Sequence, residues 1–214
     1  MPFSGDLAAT LQQLVLTIPA ILLAITFHEV AHGVIADKLG DPTARLAGRL
    51  TLNPLAHLDP IGALMFIVAK FGWAKPVPVN PHNLRHPLRD MVWVAAAGPT
   101  ANLLLAAASL LTFRWSAGLD FPMVTVPLRE VARWSYIINL NLAAFNLIPI
   151  PPLDGSQILK GFLPRRALVS YERFEPYGFI VLVLFLMSGV SGAVLGPLVG
   201  ILALGLRLLV APLL

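Results

Sequence analysis

Long apolar stretches alternate with polar, proline-rich segments along this chain. Apolar residues dominate from about 11 to 36, from 91 to 113, from 131 to 150, and again from 177 to the end. About 20 consecutive apolar residues are enough to cross a bilayer as a helix. Glycines and Pro197 interrupt the last stretch, which could hold two crossings or one crossing and a half-helix. The pattern predicts an all-α polytopic membrane protein, a bundle of about five to six transmembrane helices.

The segment between the first and second apolar stretches has a different pattern. Its apolar patch, residues 61–69, is too short to cross a bilayer. Residues 75–81 then alternate valine with proline, which suits an edge strand or a hairpin better than a helix. We therefore expect a short re-entrant or β-hairpin element here, because irregular backbone at membrane depth needs protein or water beside it.

Composition supports the membrane assignment. The chain is 57% hydrophobic and 12% charged, with a mean hydropathy of +0.78, whereas soluble domains carry about 25% charged residues. It contains no cysteine, so it can form neither disulfides nor thiolate metal sites. The formal charge of +4 would suggest nucleic acid in a soluble protein, but here basic loops beside a membrane explain it better.

The basic residues also predict an orientation. Eleven lie in the segments that follow the first and third apolar stretches, and three lie on the opposite side. Because cytoplasmic loops are enriched in lysine and arginine, we expect the N-terminus outside. The eleven are Lys38, Arg45, Arg49, Lys70, Lys75, Arg85, Arg89, Lys160, Arg165, Arg166 and Arg173, against Arg114, Arg129 and Arg133.

The candidate chemistry lies inside the first apolar stretch, in the sequence His28-Glu29-Val30-Ala31-His32. Ionisable residues within a membrane helix are costly and usually functional. Residues four apart share a helix face, so His28 and His32 can bind one metal ion, with Glu29 beside it. Two imidazoles and a nearby carboxylate are typical of zinc hydrolases. A polar helix face packed against another helix is the alternative.

A catalytic zinc site needs a third protein ligand. The remaining histidines, His57, His82 and His86, lie in loops among prolines and are expected to be solvated or capping groups. Acidic residues near the ends of the apolar stretches are the other candidates. Among them, Asp154 directly follows the third stretch.

Three segments of the chain place polar residues at a similar depth in the bilayer. His28 lies ten residues before Lys38, about 15 Å inside the boundary at 1.5 Å per residue, and Asp154 approaches from the same side. Asn102 reaches about 20 Å by the same estimate. Asn146 is the asparagine of the third stretch that is best placed to reach this level. From the residues alone, Asp154 could also form an ordinary turn, and Asn102 could serve only helix packing.

Several motifs, taken together, resemble the site-2 protease family of intramembrane zinc metalloproteases, which is peptidase M50-like. Three of them are residues 27–32 (Phe-His-Glu-Val-Ala-His), 98–102 (Gly-Pro-Thr-Ala-Asn) and 146–155 (Asn-Leu-Ile-Pro-Ile-Pro-Pro-Leu-Asp-Gly). Residues 48–54 and 72–80 are similar to the compact bacterial and archaeal branch, whose members lack PDZ and CBS domains. The match runs from about residue 25 to 160, in family order and spacing.

The resemblance implies a zinc metalloendopeptidase. His28, His32 and Asp154 would bind one Zn²⁺ per chain, and Glu29 would be the general base in peptide-bond hydrolysis. Substrates would be membrane proteins cleaved within or near their transmembrane segments, either regulators already trimmed outside or leftover signal peptides. The active site would lie toward the cytoplasmic side of a prokaryotic plasma membrane. Residues 1–214 would form a single protease domain, with a catalytic core at about 11–160 and C-terminal helices at about 177–214.

Two further roles follow from the resemblance. Asn102 and Asn146 would help to position the substrate, and the segment around residues 73–80 would be a sheet-like element beside it. Two other classes of function remain as alternatives: a metal or proton transporter that uses the intramembrane histidines, and an inactive scaffold that binds membrane helices. A transporter would need a polar path through both membrane faces, but the titratable groups cluster toward one face. The intact Glu29 argues against an inactive scaffold.

Overall fold

The computed structural model describes residues 7–69 and 72–213, and within them the chain is helical with no sheet. The α-helices are α1 (Leu7–Lys38), α2 (Thr43–Leu46), α3 (Pro60–Ala69), α4 (Pro87–Trp115), α5 (Pro122–Asn146), α6 (Asp154–Lys160), α7 (Arg165–Phe174), α8 (Gly178–Met187) and α9 (Ser191–Val210). Short 3₁₀ turns span Pro54–His57, Pro81–Asn83, Ser116–Gly118, Glu175–Tyr177 and Ala211–Leu213.

The centre of the molecule is the packing of α1, α4 and α5 against one another, with α6 against α4 and α9 against α5. Small side chains fill most of this interface, which lets the helix backbones approach closely, as they do in membrane bundles. Many large apolar side chains instead point outward, as expected for helices that face lipid. The buried alanines are Ala20, Ala24, Ala36, Ala44, Ala95, Ala106, Ala132, Ala143 and Ala144.

The structure has fewer candidate membrane crossings than expected. Among the described residues, three helical segments are long and apolar enough to span a bilayer, Leu14–Lys38, Pro87–Gly118 and Ser191–Val210, rather than five to six. The third predicted crossing is part of α5, a 25-residue helix that is long enough to cross a bilayer but more polar than these three segments, because it contains Arg129, Glu130, Arg133 and three asparagines. α8 has ten residues, too few to cross, and α3, also of ten residues, agrees with the expectation that residues 61–69 are too short.

The predicted β-hairpin is also wrong. Between α1 and α4, the described chain forms the short helix α3 and an extended segment, with one isolated bridge between Leu58 and Ala74. The physical reason is the proline content: Pro76, Pro78 and Pro81 have no N–H to donate, so this segment cannot form a regular ladder. It stays extended and packs on α1 instead.

A glycine cap reverses the chain at the end of α1. Gly40 has φ +115°, a conformation that glycine adopts without steric cost. Its N–H donates to the Asp37 carbonyl at 3.2 Å, and the Asp41 N–H donates to the Ala36 carbonyl at 2.9 Å. These two bonds are the Schellman pattern, and they fold Asp41 back against the helix.

The turn between α5 and α6 places the third predicted ligand. Ile148 and Leu153 of this turn form a buried apolar cluster with Leu182 of α8. A Cβ at Gly155 would overlap the carbonyl groups of Leu147 and Ile148, so only glycine lets α6 begin this close to the end of α5. α6 therefore starts at Asp154, with its side chain directed back to the bundle.

Candidate metal centre

Three predicted ligand side chains meet inside the helical bundle. His28 and His32 lie one turn apart on α1, and their Nε2 atoms are 3.0 Å apart. The Asp154 Oδ2 atom, from α6, lies 3.2 Å from the His28 Nε2 atom and 3.4 Å from the His32 Nε2 atom. All three ligand atoms lie within 4.8 Å of one another. The structure thus brings together residues that are 126 positions apart in sequence.

The opposite nitrogens of both rings face oxygen acceptors. The Nδ1 atom of His28 donates to Asn102 Oδ1 at 2.7 Å, and the Nδ1 atom of His32 donates to the Val94 carbonyl at 2.7 Å. The Asn102 amide nitrogen donates to the Ala24 carbonyl at 3.1 Å and to Asn139 Oδ1 at 2.9 Å, which orients its oxygen toward His28. Both Nδ1 atoms therefore carry the ring proton, and both Nε2 atoms present lone pairs to the centre.

This donor arrangement fits a divalent cation. Two nitrogen lone pairs and a carboxylate oxygen repel one another unless a positive charge lies between them, and Asp154 Oδ2 is a buried atom without a hydrogen-bond donor. Zinc bonds of about 2.0–2.1 Å at tetrahedral angles would separate ligand atoms by about 3.3–3.4 Å, close to the observed separations. Two imidazoles and one carboxylate, with a fourth position open, are the ligands of a catalytic zinc site.

A glycine on α4 makes room for the two imidazoles. A Cβ at Gly98 would overlap the rings of both His28 and His32. The next turn of α4 carries Asn102, which is fully buried and whose Oδ1 atom accepts the hydrogen bond from the His28 Nδ1 atom. α4 therefore lies against α1 at a glycine and holds both ligand rings in their orientation, an arrangement that supports metal binding through the ligands' other ring nitrogens.

Glu29 lies beside the three-residue cluster and faces the extended segment before α4. Its Oε2 atom accepts a hydrogen bond from the Val77 N–H at 2.8 Å, and its side chain is half-buried. The group that could act as a base is thus held by backbone from a different part of the chain.

The other predicted residues have mixed placements. Asn102 contacts a predicted ligand rather than open space, which favours a role in orienting His28. Asn146 is half-buried and donates to the Leu142 carbonyl of its own helix at 3.0 Å; substrate positioning by Asn102 and Asn146 stays a prediction. His57, expected to be solvated or capping, is instead fully buried. Its Nε2 atom donates to the Thr51 carbonyl at 2.8 Å, so the ring is held inside its own loop.

Sequence reasoning missed the groups that hold the centre in place. The Val94 carbonyl and the Val77 N–H are backbone atoms, and no side-chain pattern identifies them. Asn139, which supports Asn102, did carry a signal, since it is a polar residue within an apolar helix. Its role depends on which faces of α4 and α5 pack together, and the spacing of residues in the sequence does not determine this.

Comparison with known proteins agrees with this chemistry. The model of "Peptidase family M50" matches residues 121–189. "Putative zinc metalloprotease YwhC" of Bacillus subtilis (strain 168) is 39% identical over 181 residues, covering 83% of this chain and 83% of that protein. "Putative zinc metalloprotease Rip2" of Mycobacterium tuberculosis (strain ATCC 25618 / H37Rv) is 31% identical over 185 residues, covering 83% and 69% respectively. No solved structure gives a significant match.

We expect Gly98→Ala to abolish zinc binding, because the added methyl group would occupy the space of both imidazoles. The measurement is the zinc content of purified protein by mass spectrometry, beside its thermal stability in detergent. Gly118→Ala is the matched control, since a Cβ at Gly118 would meet open space. Full zinc content in Gly98→Ala would contradict the packing described here.

We expect Asn102→Leu to weaken zinc binding by about 10–100-fold, the usual cost of losing a hydrogen bond to a ligand's second nitrogen. Zinc affinity would be measured by competition with a chelating dye. Asn141→Leu removes an exposed asparagine of α5 that bonds only within its own helix and should leave affinity unchanged. Equal affinities of the two variants would show that Asn102 does not orient His28.

Proposed function

Since the chain belongs to peptidase family M50 and is an intramembrane zinc metalloprotease, we propose that the three convergent side chains of the metal centre hold its zinc ion. These are His28, His32 and Asp154. The observation that carries this proposal is the convergence of two imidazole lone pairs and one buried carboxylate on a common point. The substrates are membrane proteins, cleaved within or near their transmembrane segments.

Zinc, when bound, supplies Lewis-acid chemistry: it acidifies water and polarises a carbonyl group. The protein must supply a group that moves the proton. Glu29 is proposed as this general base, because it follows a ligand directly in sequence and its carboxylate is positioned by the Val77 N–H. The same carboxylate can return the proton to the leaving amine of the cleaved peptide bond.

The extended segment, residues 75–80, is proposed to bind the unwound substrate. Its carbonyl groups from Pro76 to Val79 accept no hydrogen bond from the described residues, and it passes directly beside Glu29. A helical substrate must unwind to expose its scissile bond, and its freed N–H groups need acceptors. Addition of the substrate as an extended strand would supply them. Membrane-tethered regulators and leftover signal peptides are the proposed substrate classes.

The remaining assignments are proposals of the same kind. The catalytic core comprises about residues 11–160, and the C-terminal helices from about 177 to 214 complete a single membrane-embedded domain. Asn102 orients a ligand, and Asn146 is the better candidate for contact with substrate because its side chain is only half-buried.

The proposed orientation places the N-terminus outside and the active site toward the cytoplasm. It takes α5 as a further crossing, since its 25 residues are long enough to span a bilayer, and it rests on the excess of basic residues in the segments after the first and third apolar stretches. His28 lies ten residues before the last residue of α1, so water has to reach the centre from the side of Lys38.

We expect Glu29→Gln to keep its zinc and lose cleavage by about 10²–10⁴-fold, the usual contribution of a general base. The assay is cleavage of a single-span membrane peptide that the wild-type protein cleaves in the same micelles, with zinc content measured in parallel. Glu172→Gln, a change at an exposed position of α7, is the control and should be fully active. Cleavage at the wild-type rate by Glu29→Gln would exclude Glu29 as the base.

We expect single cysteines at positions 170 and 120 to react from opposite sides of the membrane. The chain has no cysteine of its own, so Ser170→Cys and Asp120→Cys each introduce one thiol at an exposed position. An impermeant maleimide added to intact cells should label Asp120→Cys, and should label Ser170→Cys only after the membrane is opened. The reverse pattern would invert the proposed orientation.

A further inference from the structure

A charged side chain is buried at the end of α1, away from the metal centre. Asp41 is fully buried, and its carboxylate accepts hydrogen bonds only from uncharged donors. Oδ2 accepts from the Asn80 N–H at 2.7 Å. Oδ1 accepts from the Asn83 side-chain amide at 2.8 Å, from the Thr43 N–H at 3.1 Å and from the Thr43 hydroxyl. No cationic partner of this carboxylate occurs among the described residues.

The carboxylate stays ionised despite this burial. Burial raises the pKa of Asp41, but the hydrogen bonds from Thr43, Asn83 and the Asn80 N–H outweigh it and hold the pKa below its ordinary value of 3.8. A buried charge is costly unless every lone pair is used. Four donors from two separate segments meet that requirement. Asp41 therefore joins the end of α1 to residues 80–83, which precede α4.

The same extended segment bonds to a second carboxylate, that of Glu29 in α1. The Val77 N–H donates to Glu29 at 2.8 Å, three residues before the Asn80 N–H donates to Asp41. Prolines favour an extended helix of three residues per turn, so N–H groups three residues apart point the same way. The alternation of proline and valine thus directs both donors toward α1.

Side-chain packing fixes the segment between these two bonds. Val77 is buried and packs over Gly33, where a Cβ would contact Val77 and overlap Leu50. At the start of the segment, the Lys75 N–H donates to the His57 carbonyl at 2.9 Å. The Lys75 carbonyl accepts from Arg49 at 2.8 Å. Asp41 is the anchor at the opposite end.

We propose that Asp41 is a positioning residue for peptide-bond hydrolysis: it fixes the extended segment along α1 so that the Val77 N–H meets the Glu29 carboxylate. It contacts neither the metal centre nor the substrate and acts through residues 77–80. The inference rests on the proposed role of Glu29 as base. Without the anchor, the segment shifts along α1, and both Glu29 and the free carbonyls lose their alignment.

The first test is Asp41→Asn, which keeps the side-chain volume but places an amide N–H₂ group among four donors. We expect wild-type zinc content and a 10–100-fold lower kcat on the cleaved single-span peptide, since small misplacements of reacting groups cost rates of this size. Amide hydrogen exchange at Val77 and Asn80 should accelerate. Asp37→Asn is the control: its carboxylate lies at the same helix end but pairs with Arg45 on the surface.

A double variant separates positioning from a general loss of structure. Glu29→Asp keeps a carboxylate but shortens it away from the Val77 N–H. If Asp41 acts through that bond, adding Asp41→Asn to Glu29→Asp should cost less than threefold more in kcat. Full additivity, a loss of zinc in proportion to activity, or wild-type kcat in Asp41→Asn would each overturn the proposal.

The two proposals fail in different ways. Wild-type cleavage by Glu29→Gln would reject Glu29 as base, and the Asp41 proposal would fall with it. Loss of cleavage in Glu29→Gln, together with unchanged kcat in Asp41→Asn, would reject the positioning role alone.

Discussion

The mutual repulsion of three ligand atoms is the interaction on which the rest of this structure depends. Two imidazole lone pairs and a buried carboxylate oxygen lie 3.0–3.4 Å apart, within a bundle whose surroundings are apolar. Such a cluster needs a positive charge, either a shared cation or a second proton on an imidazole, since no lysine or arginine of the described residues pairs with Asp154. Zinc, the cofactor of this family, suits both the donor set and its spacing.

The helical framework has two tasks that would ordinarily conflict. It must bury polar ligands in an apolar bundle, and it must leave a catalytic group accessible to substrate. Glycines meet the first requirement, since Gly98 lets α4 approach α1 and Gly155 lets α6 begin directly against the end of α5. The proline-rich segment meets the second, because its backbone contacts Glu29 while the carbonyl groups from Pro76 to Val79 accept no hydrogen bond from the described residues.

The sequence predicted which three side chains come together and much less of the architecture. His28 and His32 could be paired because helical spacing places them on one face, and depth in the bilayer favoured Asp154 among several acids. Fewer helices than expected have the length and hydropathy of a crossing, because α5 carries polar residues and the last apolar stretch is divided into the short α8 and the longer α9. The prediction of a β-hairpin was wrong as well, although the sequence contains the prolines that prevent a ladder. Backbone partners such as the Val94 carbonyl could not be predicted, since they depend on how two helices face each other.

The most direct measurement is X-ray absorption at the zinc edge on the purified, full-length protein in detergent. We expect one zinc per chain, with two imidazole nitrogens and oxygen ligands at about 2.0–2.1 Å and no sulfur. Substitution of Asp154 by alanine should remove one oxygen from this shell or empty the site. A protein that binds no zinc, or a zinc shell with fewer than two imidazoles, would contradict the binding of zinc by His28, His32 and Asp154.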